Sequence, residues 1–453
     1  MQNRILIFWK LHRLSMVLAL ASGLLYAVFA YDLVRTEFMK MIGLFAVLFF
    51  FCFKLIQFQK WNFRFLLLVG ILFRLVFLLA IPNLSQDFYR FIWDGELLGI
   101  GVNPYLFLPD ELISDPEFLL ANADALHSGM GELSARHYSN YPPLNQFFFY
   151  ICTLLGGKTI LGTVIAMRSL IILADVGIFF FGRQLLKHLN RSPHLIFWYF
   201  LNPLVIIELT GNLHFEGVML FFFVWALHLL SVKQWAWAAV VYALSISIKL
   251  VPLIFLPLFL KHFPWKRSFL FYGIIGLVIL LTFVPFYDPA FLANYSDTIT
   301  LWFSNFEFNA GIYNAVKKVG LQFEAKPWEL IKSYGKVTPL LVILTVLIIS
   351  FLRKNQKLQI LITSMLFVLA LHFFLSATVH PWYIIFLIVL AIFTEFRFPI
   401  FWSAVIILSY SAYSNPDFRE NLGLLFIEYF VVFGILLYEI IRLRGQKLLF
   451  RKN

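Results

Sequence analysis

The chain has 453 residues, of which 61% are hydrophobic, 19% aromatic and only 13% charged, and its formal net charge is +12. Against about a quarter charged in an ordinary soluble domain, this leaves too little polar surface for a soluble exterior, and it excludes disorder and a disulfide-stapled scaffold. The expected fold class is an all-α polytopic membrane protein. The basic excess is expected to mark sidedness, since basic residues collect in cytoplasmic loops, and not nucleic-acid binding.

A span needs about 20 apolar residues. Suitable runs cover 14–30, 39–58, 63–81, 160–182, 194–210, 213–231, 268–286, 337–352, 358–376, 381–394, 399–413 and 422–442, which predicts about twelve crossings. The first run follows Arg4, Lys10 and Arg13 and looks superficially like a signal peptide; with so many runs behind it, a retained helix is expected. Cys52 and Cys152 lie in apolar stretches and are expected to be packing residues. The loop 83–140 holds nine acids and two bases and belongs outside, whereas the linkers around Lys54, Arg183, Lys261 and Arg353 are basic. The run 142–156 is expected as a juxtamembrane or re-entrant helix, because counting it as a crossing would put the basic 183–191 linker outside. The stretch 235–262 is broken by Lys249 and Pro252, and each half reaches only about 20 Å. It is expected as a hairpin entering from the cytoplasm with Lys249 near its apex. Both termini then lie in the cytoplasm, and the loops 83–140 and 287–336 lie outside.

Six segments deliver polar, aromatic and ionisable residues to the outer face. They are Ser85 to Gly95, Asn103-Pro104-Tyr105, Tyr141-Pro142-Pro143, Gly211 to Glu216, Asn305 to Asn309, and His380-Pro381-Trp382-Tyr383. Such convergence predicts one extracytoplasmic cavity walled by helices. Ionisable groups at membrane depth need a partner or a task. Lys249 could pair with Asp175 or Glu208, or contact an anionic ligand; Arg74 and Arg168 could snorkel or pair internally. His214 with Glu216 could bind sugar hydroxyls, and two residues are too few to specify a metal site. His380, Trp382 and Tyr383 combine a hydrogen-bonding imidazole with flat apolar faces, suited to a polar ligand or to an interfacial aromatic belt.

The order of these pieces resembles the GT-C superfamily of membrane glycosyltransferases, which use polyprenyl-phosphate-linked sugars. The nearest patterns are the catalytic subunit of the first GPI mannosyltransferase and related bacterial mannosyltransferases. The most specific element is "SQDFYRFIWDGELLGIGVNPY" followed by "YPPL"; "RSLIILADVG", "NPLVIIELTGNLHFE", "SISIKLVP", "FEFNAGIY" and "HPWY" follow in order. The resemblance runs from about Phe63 to Tyr383. It implies a two-helix addition over 1–60, a catalytic membrane core over 61–395, and C-terminal helices with a basic cytoplasmic tail over 396–453.

The resemblance implies an inverting transferase, in the bacterial cytoplasmic membrane, moving a sugar (mannose by family) from a polyprenyl-phosphate donor to a hydroxyl on the outer face. Asp87 is the implied general base; otherwise it is a loop acid or helix cap. Asp94 shares a helix face with Asp87 and either acts directly or orders the loop. Arg90, at i+3 from Asp87, could hold it ionised. Substrate contacts are expected from Arg90, Asp94, Tyr141, His214, Glu216, Lys249, Asn309, His380, Trp382 and Tyr383, with Lys249 at the leaving phosphate. No cofactor is expected to be required. Relatives with an acid-x-acid pair have a possible divalent-metal ligand, but Ser85-Gln86-Asp87 lacks the first acid. The expected partners are the lipid-linked donor, the bilayer and an acceptor glycan, lipid or protein. The rival readings are a flippase for a lipid-linked sugar and a non-catalytic subunit of an envelope-assembly complex.

Overall fold

A computed structural model describes residues 2–304 and 306–450, with side chains placed at 12–301 and 306–444. Asn305 and the last residues of the basic tail, singled out above, lie outside the described residues. The protein is an all-α polytopic membrane protein; among the described residues the only β feature is an isolated bridge between Phe308 and Thr378.

The first eight helices are α1 (Gln2–Tyr31), α2 (Phe38–Gln59), α3 (Phe63–Val76), α4 (Asp87–Gly99), α5 (Pro109–Ile113), α6 (Ala123–Ala135), α7 (Pro143–Leu155) and α8 (Ile160–His188). Among the described residues, seven helices are long and apolar enough to cross a membrane: His12–Tyr31, Phe38–Gln59, Ile160–His188, Trp265–Phe286, Pro327–Leu352, Leu358–Leu375 and Leu422–Arg444. An eighth span arises if Pro193–Phe200 and Pro203–Gly211, bent by 51°, count as one. About twelve were expected from apolar runs. The difference lies in runs that form shorter helices. Helix α3 has 14 residues, about 21 Å, and the run at 381–394 yields Ile384–Ile392, which is buried along its whole length. Ile384–Ile392 lies inside the protein, whereas α3 turns Leu68, Leu72 and Leu75 outward; both are shorter than a single uninterrupted span.

The two halves of 235–262 fold back on each other as the hairpin expected. Trp235–Ile248 is α-helical, and Val251–Lys261 is a 3-10 helix that begins at Pro252's turn. The tighter winding rises about 2.0 Å per residue, so its 11 residues match the reach of the 14-residue arm. Tyr242 donates from its hydroxyl to the Pro252 carbonyl across the bend at 2.7 Å.

The basic linkers gather at one end of the bundle. There Arg191 pairs with Glu395 and donates to the Thr394 carbonyl at 2.6 Å, while His262 meets the Asn355 carbonyl at 3.0 Å. The two long loops meet at the other end. Asn103 donates to the Phe286 carbonyl at 3.1 Å, Asn294 to the Tyr105 carbonyl at 3.0 Å, and Tyr105 packs among Phe286, Phe291 and Tyr295. Both cysteines are free and buried, as their apolar setting suggests.

Helix α4 reaches its place through a close approach to α7, the juxtamembrane helix expected over 142–156. A Cβ at Gly95 would sit 2.7 Å from the Phe149 backbone carbonyl, so only glycine lets the two axes come this near.

Candidate active site

Asp87 is the first residue of α4, where the helix N-terminus favours a carboxylate. Its backbone N–H donates to the Ser85 hydroxyl at 3.3 Å. The half-buried carboxyl interacts electrostatically with Lys249, Glu216 and Arg35. Burial raises it above the ordinary aspartate range, and Glu216 adds to this; Lys249, Arg35 and Ser85 act in the opposite sense.

Lys249 sits at the turn of the hairpin and pairs with Glu216, the first residue of helix Glu216–Ser231. It therefore pairs with neither Asp175 nor Glu208. Tyr141 and Tyr383 both interact with Asp87 and Glu216. Trp382 stacks on both imidazoles, with ring centroids 3.8 Å from His214 and 4.4 Å from His380. Phe308 stacks on His380 at 5.0 Å. His214 Nε2 and His380 Nδ1 are buried without hydrogen-bond partners, as is Glu216 Oε2. Six of the expected residues, together with Asp87 and Tyr141, thus form one cluster: His214, Glu216, Lys249, His380, Trp382 and Tyr383.

Three expected residues stand apart from it. Arg90 pairs with Asp94 at 2.7 Å and not with Asp87; its guanidinium is also claimed by the carbonyls of Ser134 (2.7 Å) and His137 (2.9 Å). The i+4 partner wins because those carbonyls draw the side chain along the helix, away from the first turn. Asp94 is fully buried and also accepts from Ser139 (2.5 Å) and Gln146 (2.8 Å), so it orders the acidic loop. Asn309, also fully buried with positive φ, donates to Glu428 at 2.9 Å while its carbonyl accepts from Tyr429 at 2.8 Å. It ties the second long loop to the C-terminal helix.

The two intramembrane arginines are accounted for by packing. Arg74 donates to Asp175 at 2.7 Å, and Tyr199 caps the other oxygen at 2.6 Å. Arg168 serves the carbonyls of Thr210 (2.7 Å), Gly211 (3.1 Å) and Leu78 (3.0 Å). That matters because Ile206–Gly211 is a π-helix, and non-α backbone inside a membrane protein needs other donors.

Three residues, Arg35, Tyr410 and Tyr413, were missed by sequence reasoning, and Glu208 was weighed only as a partner for Lys249. Arg35, from the turn between α1 and α2, lies over the Tyr413 ring at 3.4 Å. Glu208, in the π-helix, accepts from Tyr410 at 2.7 Å and Asn212 at 3.0 Å and lies 3.6 Å from His214 Nε2. The polar run Ser409 to Ser414 inside a stretch read as a crossing was the signal available for Tyr410 and Tyr413; Arg35 had none beyond being a charge in a short loop. Among the described residues no group of three or more His, Cys, Asp or Glu is gathered to hold a metal ion.

Residues 2–263 match the family described as "Alpha-(1->6)-mannopyranosyltransferase, N-terminal domain". That match takes in α1 and α2 as well as Asp87, His214, Glu216 and Lys249. The similar curated proteins include the alpha-(1->6)-mannopyranosyltransferase A of Mycobacterium tuberculosis, 26% identical over 144 residues, which is 31% of this chain and 26% of the relative. The enzyme of the same name from Corynebacterium glutamicum is 24% identical over 187 residues, 39% of this chain and 34% of the relative. The chain thus spans about a quarter to a third of the length of the curated relatives it matches. Since the family match covers more than half of the 453 residues, the chain belongs to the alpha-(1->6)-mannopyranosyltransferase family.

Proposed function

We propose that this protein is a membrane mannosyltransferase that takes mannose from a polyprenyl-phosphate donor and places it on an acceptor hydroxyl at the extracytoplasmic face. The observation that carries the reading is the cluster itself. An acid at the start of α4, held above its ordinary range, faces a lysine and a stacked histidine–tryptophan wall at the end of the bundle opposite the basic linkers. With basic linkers in the cytoplasm, that end is outside.

In the proposed step the acceptor O–H gives its proton to the Asp87 carboxylate. The freed oxygen pair forms the new bond to the mannose C1. The bond from C1 to the phosphate oxygen breaks, and its electron pair leaves with the polyprenyl phosphate. A single displacement inverts C1, so an α linkage requires a β-linked donor. A carboxyl raised toward neutrality is the better base, because proton affinity then approaches the operating pH. Lys249, positioned by its pair with Glu216, brings an ammonium N–H donor to the departing phosphate. The imidazole edges of His214 and His380 offer hydrogen bonds to the sugar.

The test supplies purified protein with labelled polyprenyl-phosphate mannose and an acceptor extract. Release of free polyprenyl phosphate together with a mannosylated product supports the transferase. Passage of intact donor across a vesicle bilayer, with no product, would replace it with a flippase.

A further inference from the structure

Three cations near the cluster are committed. Lys249 is held by Glu216, Arg90 by Asp94 and two carbonyls, and Arg168 by three carbonyls. Arg35 differs. It forms no ion pair among the described residues, and its Nε is buried without a hydrogen-bond partner. Its guanidinium lies on Tyr413 and interacts electrostatically with Asp87, Glu208, His214 and His380. Tyr413 takes the guanidinium's face and one side-chain hydrogen bond, while the Nε N–H stays without an acceptor; a guanidinium has five N–H donors, so its edge can still receive an anion.

The side chain is also placed by built structure. Lys40 closes the turn against the Asp32 carbonyl (2.7 Å) and carboxylate (3.0 Å), and Glu37 accepts from the Val34 N–H at 2.9 Å. Asn83 then clamps the same turn, donating to the carbonyls of Phe29 (2.9 Å) and Leu33 (2.8 Å). Asn83 lies four residues before Asp87, so one clamp fixes Arg35 and the proposed base relative to each other. A buried donor of a cation without an acceptor is costly in a membrane protein unless a ligand supplies one.

We propose that Arg35, and not Lys249 alone, is the residue that binds the phosphate of the lipid-linked donor and holds it as it leaves. This rests on the transferase reading only in naming the ligand's source; the chemistry recognised is a lipid monophosphate or phosphodiester. A planar fork matches two phosphate oxygens, whereas Lys249 brings a charge already balanced by Glu216.

The test measures binding of farnesyl phosphate and of farnesol to the purified full chain in detergent. The expected result is a clear preference of the wild type for the phosphate. Arg35→Gln should lose about 10–100-fold of that preference, and Arg35→Lys should recover part of it, with both variants melting near the wild-type temperature. In turnover, Arg35→Lys should raise the donor KM more than it lowers kcat. Should Arg35→Gln be too unstable to measure, Arg35→Lys decides by the same preference ratio. Equal binding of farnesyl phosphate and farnesol by the wild type would overturn the proposal, as would a preference that survives Arg35→Gln and disappears only in Lys249→Met. Asp87→Asn separates this inference from the transferase reading: it should keep the phosphate preference. Full turnover in Asp87→Asn beside a lost preference in Arg35→Gln would remove the assigned base and leave Arg35 in place.

Discussion

The buried pair between Arg74 and Asp175 gives the sharpest separation of structural from catalytic charge. Both side chains are fully buried, and Arg74 also donates to the carbonyls of Gly70 (2.9 Å) and Phe200 (2.8 Å). Arg74→Met would leave the Asp175 carboxylate with only the Tyr199 hydroxyl. Orphaning one partner of a buried pair costs about 3–5 kcal/mol. Unfolding entropy grows with length at about 2.1 cal/mol/K per residue, so over 453 residues this cost lowers the melting midpoint by about 3–5 °C. Replacing both partners by apolar groups is often neutral, so Arg74→Met with Asp175→Leu should recover most of the loss. The assay is thermal melting in detergent, run as a double-mutant cycle, with turnover per folded molecule measured alongside. An unchanged midpoint in Arg74→Met would refute the reasoning, as would a double variant as damaged as the sum of its parts. A large loss of turnover in the stable double variant would move Arg74 into the catalytic machinery.

Further outcomes are expected from the same geometry. Since Asp87 is raised by burial and must be ionised to act, kcat/KM should fall as pH drops through a value above the ordinary aspartate range. Glu216→Gln removes a carboxylate that raises it and should move this acidic limb to lower pH; Lys249→Met removes a cation that lowers it and should move the limb up. A limb at the ordinary aspartate position in all three proteins would contradict the assignment. Trp382→Ala removes two stacked ring pairs worth about 0.5–1.5 kcal/mol each, and should raise the donor KM along with lowering the melting midpoint; an unaltered KM would make the stack mere packing. Gly95→Ala forces α4 off the Phe149 carbonyl, with an overpacking cost of about 1–3 kcal/mol, and should lower turnover of the folded fraction too, because Asp87 rides on α4. Full activity there would show that α4 has room to shift.

Much of this was legible in the sequence because function concentrated rare polar residues in an apolar chain. His214, Glu216, Lys249, Trp382 and Tyr383 stood out against their surroundings, and the structure gathers them at Asp87. What failed was partner choice. Arg90 could be placed on Asp87's helix by spacing, but the Ser134 and His137 carbonyls that direct it to Asp94 arrive from α6 and its end, 44 and 47 residues away. Asn309 looked like a loop ligand until Glu428, from the far C-terminal helix, appeared as its partner. The count of long apolar helices differs from the count of apolar runs because several runs are divided into shorter helices. Runs such as 384–392 are as apolar as a lipid-facing span, yet protein surrounds them. Arg35 was invisible because its task comes entirely from tertiary contacts made by Asn83 and Tyr413.

In the proposed reaction Asp87 takes the acceptor's proton during transfer from a polyprenyl-phosphate donor. The direct measurement is single-turnover mannosyl transfer by Asp87→Asn with labelled polyprenyl-phosphate mannose. Asparagine keeps the shape of the side chain and removes its basicity. Transfer should fall about 10²–10⁴-fold while the melting midpoint and donor binding stay near wild type. Transfer within a few-fold of wild type would contradict this role.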